Sequence, residues 1–206
     1  ATDTQPPVTL PVVGLPDAST APAAPTANTT IAQDSNAFAA DLYRQLAQKD
    51  GNLFFSPSSI HTALAMTYAG ARGQTASQMA EAMHYPPGND SFHARYGELL
   101  KAINKGPLDY DENPVYQLAV ANALWGQDGF AFEPAFLNTN TQHYAAAVES
   151  LDFARDDEGA RQMINKWVED KTNDKIKDLI PSGVLNADSR LVLTNAIYFK
   201  ADWAEQ

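Results

Sequence analysis

Apolar and polar positions alternate with two different periods along this chain, and the changes of period mark out its elements. Phe38, Leu42 and Leu46 recur at i, i+4 and i+8, which predicts a helix from about Ser35 with Gly51 as its stop. Asn52-Leu53-Phe54-Phe55 is a short apolar run with the look of a buried strand. In Ser56-Pro57 it is followed by a capping hydroxyl and a proline at the first helical position, where the missing N–H costs nothing. A second helix is expected over Pro57 to Ala69, with Ile60, Ala63, Leu64, Thr67 and Tyr68 inward. Thr75 and Gln78 have capping-box spacing ahead of Met79, Ala82 and Met83, a third helix. Beyond the break at Pro86-Pro87-Gly88, the stripe Phe92, Tyr96, Leu99, Leu100, Ile103 predicts a fourth, ending at Gly106.

From Tyr116 the period becomes two. Tyr116, Leu118, Val120, Asn122 and Leu124 share one face, and Gln117, Ala119, Ala121, Ala123 and Trp125 the other. Phe132, Phe136, Leu137 and Tyr144 outline another helix, Ala147 to Phe153 a further strand, and Met163, Ile164, Trp167 and Val168 an amphipathic helix suited to cover a sheet. In the last strand, Leu191, Leu193, Asn195, Ile197 and Phe199 point one way and Val192, Thr194, Ala196 and Tyr198 the other. Neither face is polar, which is the pattern of a strand in the middle of a sheet covered on both sides. No cap or turn signal precedes Gln206, so the expectation is a central strand whose remaining partners lie outside these residues.

Composition narrows the functions available. A chain of 206 residues that is 44% hydrophobic can bury a large core. A formal charge of -11 argues against nucleic acid and against anionic membrane surfaces, which both attract an excess of Lys and Arg. With no cysteine there is neither a thiolate nucleophile nor a Cys-ligated metal, and no apolar run is long enough for a membrane span. Residues 1–30, rich in Pro, Ala and Thr without a period, read as a disordered tail ahead of a domain over 31–206.

Candidate chemistry is sparse. Ser56 or Ser59 beside His61 suggests a nucleophile and base, but no G-x-S-x-G elbow surrounds them, and both serines are explained by the helix start. His61, His84, His93 and His143 lack ligand spacing, so no metal or other cofactor is expected. Asp156, Asp157 and Glu158 read as a solvated helix start. Asn195 stands out, because an amide on an apolar strand must find partners or cost about 1–3 kcal/mol per unsatisfied group. It is either a satisfied core amide or a polar latch, with Ser56 and Ser59 as candidate partners.

Several stretches together resemble the serpins. Asn52-Leu53-Phe54-Phe55-Ser56-Pro57-Ser58-Ser59-Ile60 and Ala69-Gly70-Ala71-Arg72-Gly73-Gln74-Thr75 are similar to the start of that family. Ala121-Asn122-Ala123-Leu124-Trp125, Leu151-Asp152-Phe153, Asn165-Lys166-Trp167-Val168 and Leu193 to Trp203 follow in serpin order. The resemblance implies an α+β fold, with three sheets and about nine helices in the complete protein, here ending after a strand similar to the third of the large sheet. It implies that Ser56, Ser59 and Asn195 belong to the shutter beneath that sheet, that Trp203 marks the breach where it first parts, and that the Trp167 helix lies across it.

The function implied is inhibition of serine or cysteine proteases. The protease cleaves an exposed loop that inserts as a new strand, a strand addition that releases stored strain. The reactive loop lies near a serpin's C-terminal end, so this chain is expected to contain no reactive site, to lack the C-terminal part that would complete it, and to be non-inhibitory alone. No catalytic residue and no enzyme activity are expected. The alternative is a non-inhibitory serpin acting as a carrier, chaperone or binding module. Heparin is an unlikely partner, because the fourth helix offers only Arg95, Lys101 and Lys105, with Glu98 among them. The expected location is extracellular or at the cell envelope.

Overall fold

In the computed structural model, residues 30–86, 91–105 and 116–201 are described. The tail assigned to residues 1–30, the Gly106 stop and Trp203 therefore fall outside them, Thr30 excepted.

Helix α1 spans Ile31–Leu46, starting before Ser35 because Thr30 caps it. The Thr30 hydroxyl accepts from the Gln33 N–H and the Gln33 side chain closes a capping box. Helix α2, Pro57–Tyr68, starts as expected, with Ser56 as N-cap and Pro57 in the first turn. Helix α3, Gly73–Met83, begins ahead of the predicted Thr75/Gln78 box and has no side-chain cap. A positive φ at Gly73 lets the chain turn there, and the Arg72 carbonyl accepts the Ala76 N–H. Helix α4 is Phe92–Lys105, α5 is Pro134–Tyr144 and α6 is Asp157–Lys171. Asp156 caps α6 by accepting from the Gly159 N–H, which gives the acidic cluster a structural part.

Two sequence expectations fail in the first third of the chain. Asn52 to Phe55 forms no strand, and Phe54 is wholly exposed. A strand needs a neighbour for its backbone groups, and no described residue pairs with this run. The inward face of α2 is also rotated from the predicted one: His61, Thr62, Ala65, Met66 and Tyr68 are buried, while Ile60 and Thr67 are exposed. His61 and Thr62 lie inward because the core provides hydrogen-bond partners for both.

The strands β1 (Tyr116–Gln127), β2 (Ala147–Leu151) and β3 (Leu191–Ala201) form a mixed sheet in the order β2-β1-β3. β1 is parallel to β2 and antiparallel to β3, with Asn122 opposite Asn195 and Leu124 opposite Leu193. One face packs Leu124 and Leu193 against a core from α2, α4 and α5 that includes Met66, Tyr68, Phe92 and Phe136. The other packs Ala123, Trp125 and Val192 against Ala160 and Ile164 of α6, which is the cover the Ile164/Val168 stripe predicts. β3 was expected to be a central strand whose remaining partners lie outside these residues; among the described residues it pairs only with β1, with Phe199 61% exposed. Its two apolar faces thus exceed the cover these residues give.

Candidate functional site

The polar groups of the sheet gather where β1 and β3 cross the helical core. Asn122 and Asn195 are cross-strand partners. The Asn195 amide donates to Asn122 Oδ1 at 2.6 Å, and the Asn122 amide donates to the Tyr144 main-chain carbonyl at 3.2 Å. The two strands are thereby tied to each other and to the last residue of α5. Asn195 Oδ1 is buried with no hydrogen-bond partner among the described residues, so one acceptor of the latch is left unsatisfied.

On the opposite face the Trp125 indole donates to Thr194 Oγ1 at 2.9 Å, and its ring meets Trp167 of α6 edge-on with centroids 5.6 Å apart. Beyond it, Asn165 clips the return segment to α6. Its amide donates to the Ile180 carbonyl at 2.9 Å, and its oxygen accepts the Ile180 N–H at 2.8 Å.

Behind the Asn pair lies a buried aromatic and histidine cluster. His93 Nδ1 is 2.7 Å from the Tyr144 hydroxyl. His61 is wholly buried, with Nδ1 2.9 Å from the Tyr96 hydroxyl and Nε2 2.9 Å from the Met83 carbonyl, to which it donates. The Tyr85 hydroxyl donates to the His61 carbonyl at 2.8 Å. Burial pushes both imidazoles down to about 4, and the charges of His84 on His61 and of His143 on His93 act in the same direction. Burial likewise pushes the Tyr96 phenol up to about 12.

Of the predicted site residues, Ser56 caps α2 and accepts the Ser59 N–H at 3.4 Å. Neither serine hydroxyl is hydrogen-bonded to Asn195, whose partner is Asn122. Nor does either serine meet His61, whose ring nitrogens are both engaged elsewhere. The sequence did carry a sign of the Asn pair: each strand has one asparagine on an otherwise apolar face. Among the described residues no group of His, Asp and Glu has the arrangement to hold a metal ion.

Residues 33–206 match the family model described as serpin (serine protease inhibitor). The chain belongs to the serpin family. A serpin-like protein of Methanosarcina acetivorans is 39% identical over 177 residues, covering 84% of this chain and 40% of its own length. The leukocyte elastase inhibitor of Sus scrofa is 43% identical over 171 residues, 82% of this chain and 43% of the inhibitor. Among solved structures, emu ovalbumin (Dromaius novaehollandiae) superposes with a TM-score of 0.78 at 30% identity, over 86% of this chain and 48% of ovalbumin. Cleaved Serpin 42Da gives 0.73 at 35% identity, over 85% of this chain and 45% of that one. The serpin fold is therefore present in part, and the chain spans about two fifths of the length of these curated relatives.

Proposed function

We infer that these residues are the N-terminal part of a serpin that inhibits serine or cysteine endopeptidases by loop cleavage and strand insertion. The observation that carries this reading is the match of residues 33–206 to a family described as serine protease inhibitor. β3 is hydrogen-bonded to β1 along one side, and in this reading a cleaved loop adds a strand along the other edge, satisfying its row of backbone donors and acceptors. Asn195, with Asn122, would hold β1 and β3 together while that edge is filled. Ser56 and Ser59 would line the shutter from the start of α2, and Trp203 the breach. Export to the extracellular space or cell envelope is the setting this reading expects.

The decisive comparison sets the protein that contains these residues beside this chain alone, each mixed with a panel of serine and cysteine proteases and run on denaturing gels. The longer protein should form an SDS-stable adduct with at least one protease, and this chain with none. An adduct formed by this chain alone would refute its dependence on a loop elsewhere. No adduct from the longer protein with any protease would favour a non-inhibitory carrier or chaperone.

Heparin should not regulate it. Lys101 on α4 is already paired with Glu98 at 2.8 Å, and that pairing holds the Glu98 carboxyl below the usual range. Elution from a heparin column below physiological salt is expected, and retention above it would count against this.

A further inference from the structure

We propose that His93 is an acid-sensitive wedge between α4 and α5, and that charging it loosens the Asn122–Asn195 bridge through Tyr144. His93 is 7% exposed, its Nδ1 is bound to the Tyr144 hydroxyl, and its Nε2 is buried without a hydrogen-bond partner. A neutral ring tolerates that arrangement. An imidazolium has two N–H donors and a positive charge, and here there is one acceptor for them.

Among the described residues no carboxylate is hydrogen-bonded or ion-paired to the ring. From α5 the ring is faced by Tyr144 and, through its charge, by His143, and from α2 by Tyr68, with ring centroids 6.0 Å apart. The adjacent Phe92 of α4 itself packs edge-on. β1 contains no charged residue.

The junction also has little slack. A Cβ at Gly97, one helical turn beyond His93, would lie 2.8 Å from the His143 carbonyl oxygen, so α4 and α5 are already in backbone contact there. A charged His93 ring seeking water must therefore part the helices rather than shift within them. Tyr144 is what transmits this to the sheet: its hydroxyl holds His93 and its main-chain carbonyl holds Asn122. The proposal takes from the preceding reading only that the Asn pair ties β1 to β3.

Two measurements on the intact chain test it together: an NMR titration of the histidine side chains, and amide exchange followed by mass spectrometry over the same pH range, corrected for intrinsic rates. As His93 titrates, the segments 134–144, 116–127 and 191–201 should lose protection together, by about tenfold or more. The comparison is made in a His61→Asn background, which removes the other buried ring that titrates in this range, and there the added His93→Gln substitution should retain protection below that pH. Unchanged exchange in β1 and β3 while His93 titrates would overturn the proposal, as would a His61→Asn/His93→Gln chain that loses protection at the same pH as His61→Asn alone. If the variant does not fold, the first comparison decides alone. Neither measurement involves a protease, so failure of the inhibition reading leaves this result standing, and the converse also holds.

Discussion

Lowering the pH from 7 to 4 is expected to remove about 6 kcal/mol of folding stability, roughly 3 from each of His61 and His93. Both rings lie in the core, at 0% and 7% exposure, and both are pushed from 6.5 down to about 4, chiefly by burial. In the unfolded chain each imidazole takes up a proton near pH 6.5, while in the folded chain it resists until about pH 4. Between those values the unfolded state binds more protons, so acid favours unfolding. The stabilisation is fully present above pH 6.5, falls as the pH drops toward 4 and is exhausted below that. More than half should be gone by about pH 5. Asp41 does not alter this window. Although burial opposes it, its hydrogen bond to His84 holds its carboxyl below 3.8, so its contribution is lost only at still lower pH.

Urea midpoints followed by circular dichroism at pH 7, 6, 5 and 4 test this directly. His61→Asn and His93→Gln should each flatten the curve, because a neutral amide can hydrogen-bond without titrating. A parent chain whose midpoint is constant over this range would show that the two rings are charged or solvated in the fold.

The residues that make this prediction were hidden from the sequence pattern, and the reason is physical. The apolar period put Ile60, Ala63, Leu64, Thr67 and Tyr68 on the inner face of α2, and of these Tyr68 is buried while Ile60 and Thr67 are exposed. The fold turns His61 and Thr62 inward because Tyr96, the Met83 carbonyl and the Ser58 carbonyl satisfy them. Ser58 lies one turn back on α2, a local partner, but Tyr96 and Met83 come from α4 and α3, and no local rule reveals them. What was legible rested on long runs with one period: the alternation of β1 and β3, and the Ile164/Val168 stripe that makes α6 a cover for the sheet. Asn195 was legible as an anomaly, but its partner was not. Period two says which face a residue occupies, and only the register, set between strands 73 positions apart, says that Asn122 lies opposite. Phe54 errs the other way. Its run is apolar enough for a strand, yet a strand is a pairing as much as a sequence, and no described residue pairs with it.

Trp125→Ala should cost about 3–5 kcal/mol, the largest effect expected of a single substitution in the sheet. The indole is 3% exposed and sits where β1, β3 and α6 meet, edge-on to Trp167 and donating to Thr194, which is itself buried. Truncation removes that packing, leaves a cavity beneath α6 and strands the Thr194 hydroxyl. Trp125→Phe separates the two contributions. It keeps most of the ring volume while losing the N–H, so its cost should be about 1–3 kcal/mol, the range for a buried polar group deprived of its partner. Adding Thr194→Val to the Phe variant should recover part of that loss, since the stranded hydroxyl is then gone. Urea midpoints at pH 7, followed by far-ultraviolet circular dichroism because two other tryptophans complicate fluorescence, give all three values. A Trp125→Ala chain within about 1 kcal/mol of the parent would mean that α6 does not rest on the sheet through this indole. The cover that defines the second face of β1 and β3 would then have to be assigned to Ala160 and Ile164.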